Sequence, residues 1–438
     1  MNTETVLQEF LPDLVAGLTP SLRDIEVRVI KGGDYPTEYQ ELRRLIYLEE
    51  TQWLGADQLF DHNDAVGKHI LLYNRDGQLM AATMVAPASS TDFSDQAGVE
   101  ASFLTHSSYS SRSLVHPSFR RQGLLALVLY LAMRESYEAG FTRYVGFVEP
   151  GKIPGWKVLR YNRIDEAESR SEVGADGQTY LLHPIMGEIG ESMLRAYLAL
   201  PEDLKIWVQK HIYLPSLTRK ILARVEGFYQ LPFFQQVKSN SLQRYAYINS
   251  LTNKYQFVKW TTRILGRAVG MCEDTELRRH YAEHLRGEVN HEVWIENDLK
   301  YLGVDFDFVR DHQVPDLGVL NFMFVQEAMT ASRQDPVTFL GVPLAIEAIS
   351  GFLDQEFVTQ LKANIKRWGY AEPTKACSFF ASHVHTDGAV DGHWVGSLKI
   401  LGPYLKHEKT MQMVEQIIDL VVDSLERAYL SYTVEGLH

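Results

Sequence analysis

The sequence predicts two domains, an α/β domain followed by an all-α helical bundle, and three observations carry that expectation. The chain has 438 residues, more than one hydrophobic core usually holds. Short β-type runs alternate with helical stretches in its first part, whereas from about Glu188 apolar residues recur at helical spacing as far as Tyr432. Between Tyr197 and Pro232 the pattern is punctuated by Pro201 and Pro215. The expected division is 1–195 for the α/β domain, 196–232 for a helical linker and 233–438 for the bundle.

In order along the chain, Ile25-Glu-Val-Arg-Val-Ile30 alternates apolar and polar residues as a half-buried strand does, and Tyr39 to Thr51 carries helical spacing. His69 to Tyr73 and Leu79 to Val85 are apolar runs of strand length. They flank Asn74-Arg-Asp-Gly77, whose glycine supplies the left-handed conformation a hairpin turn needs. Arg112 to Val115 and Arg143 to Val148 add strands on either side of a helix from Gly123 to Ala139. No repeat or low-complexity tract interrupts the pattern.

Composition narrows the function classes. A net charge of -13 and an isoelectric point near 5.6 argue against nucleic acid, whose phosphates demand a basic surface. Hydrophobic residues make up 45%, ordinary for a soluble globular protein, and no uninterrupted apolar run reaches membrane-spanning length, so no membrane partner is expected. Two cysteines, Cys272 and Cys377, are too few for a disulfide framework. The opening Met-Asn-Thr-Glu-Thr-Val-Leu lacks a basic region followed by an apolar one. A reducing, cytoplasmic compartment and small-molecule substrates are expected.

The segment Leu114-Val-His-Pro-Ser-Phe-Arg-Arg-Gln-Gly-Leu-Leu-Ala126 passes from strand to helix. Backbone N–H groups at a helix start, the helix dipole and the adjacent Arg120 and Arg121 suit a pyrophosphate, and Gly123 lets the backbone come close. This run resembles the acyl-CoA loop of the GNAT acyltransferases, matched at Arg120 and Gly123, with Leu125 in place of the final small residue. Val115, Arg120, Arg121, Gln122, Gly123, Leu124 and Leu125 are therefore the cofactor-binding candidates. Upstream, Leu42 to Glu50, Leu59-Phe-Asp-His-Asn-Asp64, His69 and Asp76 to Ala81 look like the opening of GNAT enzymes related to autoinducer synthases. The resemblance covers roughly the first 185 residues. It implies a thioester donor, acyl-CoA or an acyl carrier protein, and an amine or amino-acid acceptor. It also implies a backbone N–H near Val115 as oxyanion donor and Tyr161 as the proton donor to the leaving thiolate. Glu50 or Glu149 would take the proton of the attacking ammonium. In the bland alternative Tyr161 is a packing tyrosine and the arginines are solvated charges.

In the C-terminal half, Glu288 and His291 lie three apart in a stretch of helical spacing, Glu347 follows, and His383 and Asp387 lie four apart. A residue advances about 100° along a helix, so the members of each pair share a face. Carboxylates and imidazoles on facing helices are how bundle proteins hold iron. The run from His284 to Gly303 resembles the haem-oxygenase-like non-haem iron oxidases, and that resemblance covers about residues 235 to 432. It implies dioxygen as co-substrate at one or two Fe(II) ions. Two departures stand out: no Asp or Glu occurs from Gly227 to Met271, where a further glutamate is normal, and the closing histidine is displaced to His393. On an unbroken helix His393 would face away from His383, so a distortion at Gly388 or Gly392 is expected. Glu288, His291 and His383 would hold one ferrous ion. Glu347, Asp387 and His393 would complete a weaker second site, orient the histidines or act as bases, with His284 as a neighbouring partner. The bland alternative is a set of buried polar residues satisfying one another. Arg244, Lys254, Lys259, Arg263 and Arg267, on the acid-free helix, are either a solvated face or the receiver of a substrate carboxylate.

Together these readings point to a bifunctional biosynthetic enzyme in which one domain acylates an amine and the other oxidises the product or its precursor. The resemblance implies N-oxygenation, desaturation or oxidative carbon–carbon cleavage as the redox step. The alternative is an acyltransferase alone, with the helical half a metal-free dimerisation or carrier-protein docking module. A third reading keeps only the oxidase active. Homodimerisation is an expectation by analogy with such helical oxidases.

Overall fold

A computed structural model describes residues 24–434, apart from 56–57, 166, 332–334, 387–392 and 406–407. The chain falls into two compact units that divide between Val208 and Gln209.

In the first unit β1 (Ile25–Lys31), β2 (Lys68–Asn74), β3 (Leu79–Pro87) and β4 (Ser107–Val115) pair successively antiparallel. The strand β5 (Arg143–Val148) runs parallel to β4, and β8 (Thr179–Glu188) pairs antiparallel with β5. Two shorter strands, β6 (Asn162–Arg163) and β7 (Arg170–Val173), both pair with β8. The apolar runs of β2 and β3 are buried almost throughout, as strands covered on both faces must be. The helices of the unit include α1 (Thr37–Arg44), α2 (His62–Val66), α3 (Leu124–Glu138) and α4 (Ile189–Leu198), with α3 packed across β3 and β4. The expected hairpin is present: Asn74 N–H donates to Gln78 O at 3.0 Å, and Gly77 takes φ +75°. The helix expected over Tyr39–Thr51 instead becomes a π-helical turn at Leu45–Glu50.

Register between β4 and β5 ends at Tyr109 and Val145, so beyond that point the strands part and leave a cleft. A buried polar network braces the β4 side of it. Arg43 and Asp64, both fully buried, form a two-pronged ion pair at 2.7 and 3.0 Å, and Tyr39 and His69 meet at 3.0 Å beside it. Arg112, at φ +58° where β3 and β4 shift register, reaches Asp61 at 2.5 Å and Asp64 at 3.6 Å. Burial alone would raise the Asp64 carboxyl, but the two guanidinium groups outweigh it and hold it below the usual range.

The second unit is helical: α5 (Leu214–Phe228), α6 (Pro232–Lys238), α7 (Arg244–Met271), α8 (Thr275–Gly287), α9 (His291–Tyr301), α10 (Phe306–Asp311), α11 (Leu317–Met329), α12 (Gly341–Gly351), α13 (Gln355–Arg367), α14 (Ser378–Thr386), α15 (His393–Leu401) and α16 (Glu408–Tyr432). The long α7 packs against α8, α9, α11 and α16, and α12 packs against α14, α15 and α16.

Asp298 on α9 fixes the start of α14. Its carboxylate accepts from Ser378 N at 2.8 Å and Phe379 N at 3.0 Å, taking up two of the donors a helix start leaves orphaned. Asp298→Ala is expected to cost roughly 2 kcal/mol in urea unfolding. Burial, only partly offset by these bonds, pushes Asp298 up to about 6. An unfolded aspartate titrates near 4, so between those values the folded chain holds the extra proton. The stability advantage of the parent over the variant should therefore shrink as pH rises from about 4 to about 6. A difference that stays flat across this window contradicts the assignment.

Candidate iron centre and acyl-transfer cleft

The cleft between β4 and β5 holds about 1080 Å³ of empty space, its mouth included. Tyr161 and Glu149 line it, together with Trp156 and Arg112. The Tyr161 ring is buried against Trp156 and Tyr144, at centroid distances of 5.2 and 5.8 Å, and its hydroxyl makes no hydrogen bond among the described residues. Burial, reinforced by Tyr144, pushes the phenol well above its ordinary value, so it keeps its proton and can only donate it. Glu149 is held by Lys152 at 2.7 Å. Glu50 is placed elsewhere: both its oxygens lie 2.5 Å from Arg120, whose hydrogen bonds keep the carboxyl below the usual range. Glu50 does not line the cleft, and Glu149 is the carboxylate that lines it together with Tyr161.

An adjoining cleft of about 780 Å³, mouth included, is walled by Val115, Arg120, Arg121, Gly123, Leu124 and Leu125, with Gln122 half-buried in the same loop. The 15-residue α3 follows its N-cap, Gly123, with no side-chain cap, so no capping side chain takes up its first N–H groups. Gly123 has φ +80°, and a Cβ there would stand 2.4 Å from Pro201 Cδ. Gly123→Ala therefore meets both backbone strain and a clash. An expected loss of about 1–3 kcal/mol, read as a lowered urea midpoint with unchanged slope, tests this.

In the helical unit Glu288, His291, His383, His284 and Glu347 all line one apolar cleft. Glu288 and His291 do not share a helix face, contrary to expectation. The helix α8 ends at Gly287, and Asn290 turns left-handed at φ +72° before α9 starts at His291. Asparagine tolerates that conformation, and the turn, not a helical repeat, brings His291 Nδ1 to 3.0 Å from Glu288 Oε2. His291 Nδ1 makes no hydrogen bond of proper geometry among the described residues, and this nitrogen is the ring atom turned to the carboxylate. The His291 ring stacks on Trp294 at 4.4 Å and meets His383 edge-on at 5.0 Å. His383 Nδ1 lies 2.8 Å from Phe379 O, a bond that frees Nε2. Burial pushes His383 down to about 4, so its imidazole is neutral, the form that ligates metals.

The remaining donors are paired with one another. His284 Nε2 stands 2.7 Å from Glu347 Oε1 and 3.6 Å from Glu288 Oε1, and Ser397 donates to Glu347 at 3.3 Å. Burial would lower His284, but the Glu347 and Glu288 carboxylates outweigh it and push it up to about 10, an imidazolium between two carboxylates. Burial also opposes the charge on Glu288, yet the adjacent His284 and His291 hold it far below the usual range. Among the described residues no group of three or more His, Cys, Asp or Glu is arranged as a ready metal cluster. One carboxylate and two imidazoles nonetheless line one cleft, donor types whose chemistry suits a ferrous ion. Asp387 lies outside the described residues, as do Gly388 and Gly392, and the side chain of His393 is not described although its backbone opens α15.

Sequence reasoning named Lys254 only as one of five cations on α7. The structure separates them: Arg244 donates to Leu302 O and Tyr370, Lys259 to Gln256, Arg267 pairs with Glu327, and Arg263 lies over Trp260. Lys254 faces the cleft. The Arg112 cluster was missed too; its signal was Asp61-x2-Asp64 ahead of a strand arginine, which periodicity alone does not flag.

Residues 248–423 match the family model described as "Iron-containing redox enzyme". No curated protein matches the chain. Among solved structures, a domain of unknown function with a heme oxygenase-like fold from Shewanella denitrificans is similar at 18% identity, over 51% of this chain and 92% of that one, with a TM-score of 0.44. A putative N-acetyltransferase from Lactobacillus plantarum is similar at 17% identity over 37% and 98% of the two chains, TM-score 0.29. The acyl-homoserine lactone synthase LasI is similar at 14% identity over 41% and 98%, TM-score 0.33. No helix among the described residues is long and apolar enough to cross a membrane. Residues 248–423 are thus similar to the iron-containing redox enzymes, and they lie in one chain with a mixed-sheet unit.

Proposed function

We propose that the chain is a bifunctional biosynthetic enzyme. The mixed-sheet unit transfers an acyl group from acyl-CoA or an acyl carrier protein to the amine of a small molecule or amino acid, and the helical unit oxidises the product or its precursor with dioxygen at a non-haem iron centre. The observation that carries this reading is the convergence of Glu288, His291 and His383 on one apolar cleft. In support, the same chain holds an uncapped helix start flanked by arginines and a cleft with a protonated tyrosine.

In acyl transfer the amine nitrogen attacks the thioester carbonyl after Glu149 takes its proton, directly or through water. A backbone N–H of parted β4 near Val115 stabilises the oxyanion. As the carbon–sulfur bond breaks, Tyr161 gives its proton to the thiolate, and the products are an amide and a free thiol. In the helical unit Glu288, His291 and His383 would hold iron, which when bound supplies dioxygen binding and one-electron transfer that closed-shell side chains lack. His284 neutralises Glu347 and keeps it beside Glu288, and the apolar wall excludes water.

Free-thiol release and amide mass, measured with acyl-CoA donors of graded length against an amino-acid panel, test the first half. Oxygen uptake by the Fe(II)-supplemented protein on adding the amide tests the second. Thiol release without any oxygen uptake would support the second reading, an acyltransferase with a metal-free helical module, which is favoured by the way His284, Glu347, Glu288 and His291 already pair with one another.

A further inference from the structure

The oxidase cleft contains a cation that the iron reading does not use. Lys254 projects from α7 among aromatic rings: its Nζ lies 4.7 Å from the Tyr429 centroid, 5.3 Å from Phe380 and 6.0 Å from Phe379, and it donates to the Tyr429 hydroxyl. No carboxylate among the described residues pairs with it, and burial pushes the ammonium down to about 7. A charge kept in such surroundings without a counter-ion is costly. Phe379 in turn lies 4.2 Å from the His383 ring, so the ammonium sits one aromatic ring away from a candidate iron ligand.

Away from the candidate iron ligands most of the cleft's walls are apolar, with Phe234, Phe257, Val342, Ile346, Ile349 and Leu353 among them. The cleft encloses roughly 1060 Å³ of empty space, mouth included. Apolar walls of this kind suit a polymethylene chain.

We propose that Lys254, with the Tyr429 hydroxyl, receives the carboxylate of an acyl-chain substrate whose tail lies in this cleft. The assignment rests on the oxidase reading only for its consequence, since binding of the anion needs no iron. Two sources present this chemistry: a free fatty acid, and an N-acyl amino acid of the kind that acyl transfer to an amino acid supplies.

The test is calorimetric binding of dodecanoate, methyl dodecanoate and N-dodecanoylglycine to the full-length chain, with and without Fe(II). The carboxylates are expected to bind roughly tenfold or more tightly than the ester. Lys254→Met should abolish that preference while ester binding persists, Lys254→Arg should retain part of it, and Tyr429→Phe should reduce it. Ester binding by Lys254→Met shows that the cleft has folded. Tighter binding of N-dodecanoylglycine than of dodecanoate places acyl transfer upstream, and the reverse order makes a fatty acid the ligand; either supports Lys254. Equal affinity of parent protein for acid and ester, or an undiminished preference in Lys254→Met, overturns the assignment. A Glu288→Ala chain that keeps the preference but shows no iron-dependent oxygen uptake would separate failure of the oxidase from failure of the anion site.

Discussion

Glu288→Ala is expected to weaken Fe(II) binding to the helical unit by more than the roughly 100-fold that loss of an outer partner costs, and to abolish oxygen uptake. The carboxylate is the charged oxygen donor that faces His291, at 3.0 Å, and its removal also frees His284 to pair with Glu347 alone. Equilibrium dialysis against Fe(II), with far-ultraviolet circular dichroism as the folding control, reads the effect. His291→Ala should match it. A variant that binds iron as the parent does would remove Glu288 from the site.

Tyr161→Phe should lower the turnover of thiol release by roughly 10²–10⁴ while the KM for the thioester changes little. In the proposed mechanism the buried phenol is the proton donor of the cleft, and the isosteric ring keeps its contacts with Trp156 and Tyr144. Because burial keeps the phenol protonated well past neutral pH, the parent should show no loss of donor function on the alkaline side up to about pH 10. A raised KM with unchanged turnover would instead make Tyr161 a wall of the binding cleft.

Much of the fold was legible because its signals are local. Period-two runs gave β1, the turn residues gave the β2–β3 hairpin, and helical spacing gave the second unit. The strands β6 to β8 were not read: β6 has two residues, β7 is largely exposed, and β8 carries Pro184 and an irregular burial pattern. Their pairing is decided by β5, a long-range partner that spacing does not reveal. At the candidate iron site the residue types were legible but the route was not. A helical reading of Glu288-x2-His291 assumed continuity, whereas the chain stops α8 at Gly287 and turns at Asn290. The pairing of Glu50 with Arg120, seventy residues apart, was equally invisible. Lys254 was hidden among surface cations because helical phase on a long buried helix does not tell a pocket wall from a solvated face.

The central claim, that the helical unit grips iron through residues of three separate segments, is tested most directly by anomalous diffraction at the iron edge from crystals grown anaerobically with Fe(II). The account predicts a peak in the cleft bonded to a Glu288 oxygen, to the His291 nitrogen that faces it, Nδ1, and to Nε2 of His383. An iron peak away from these three side chains, or fully ordered side chains there with no peak, contradicts it.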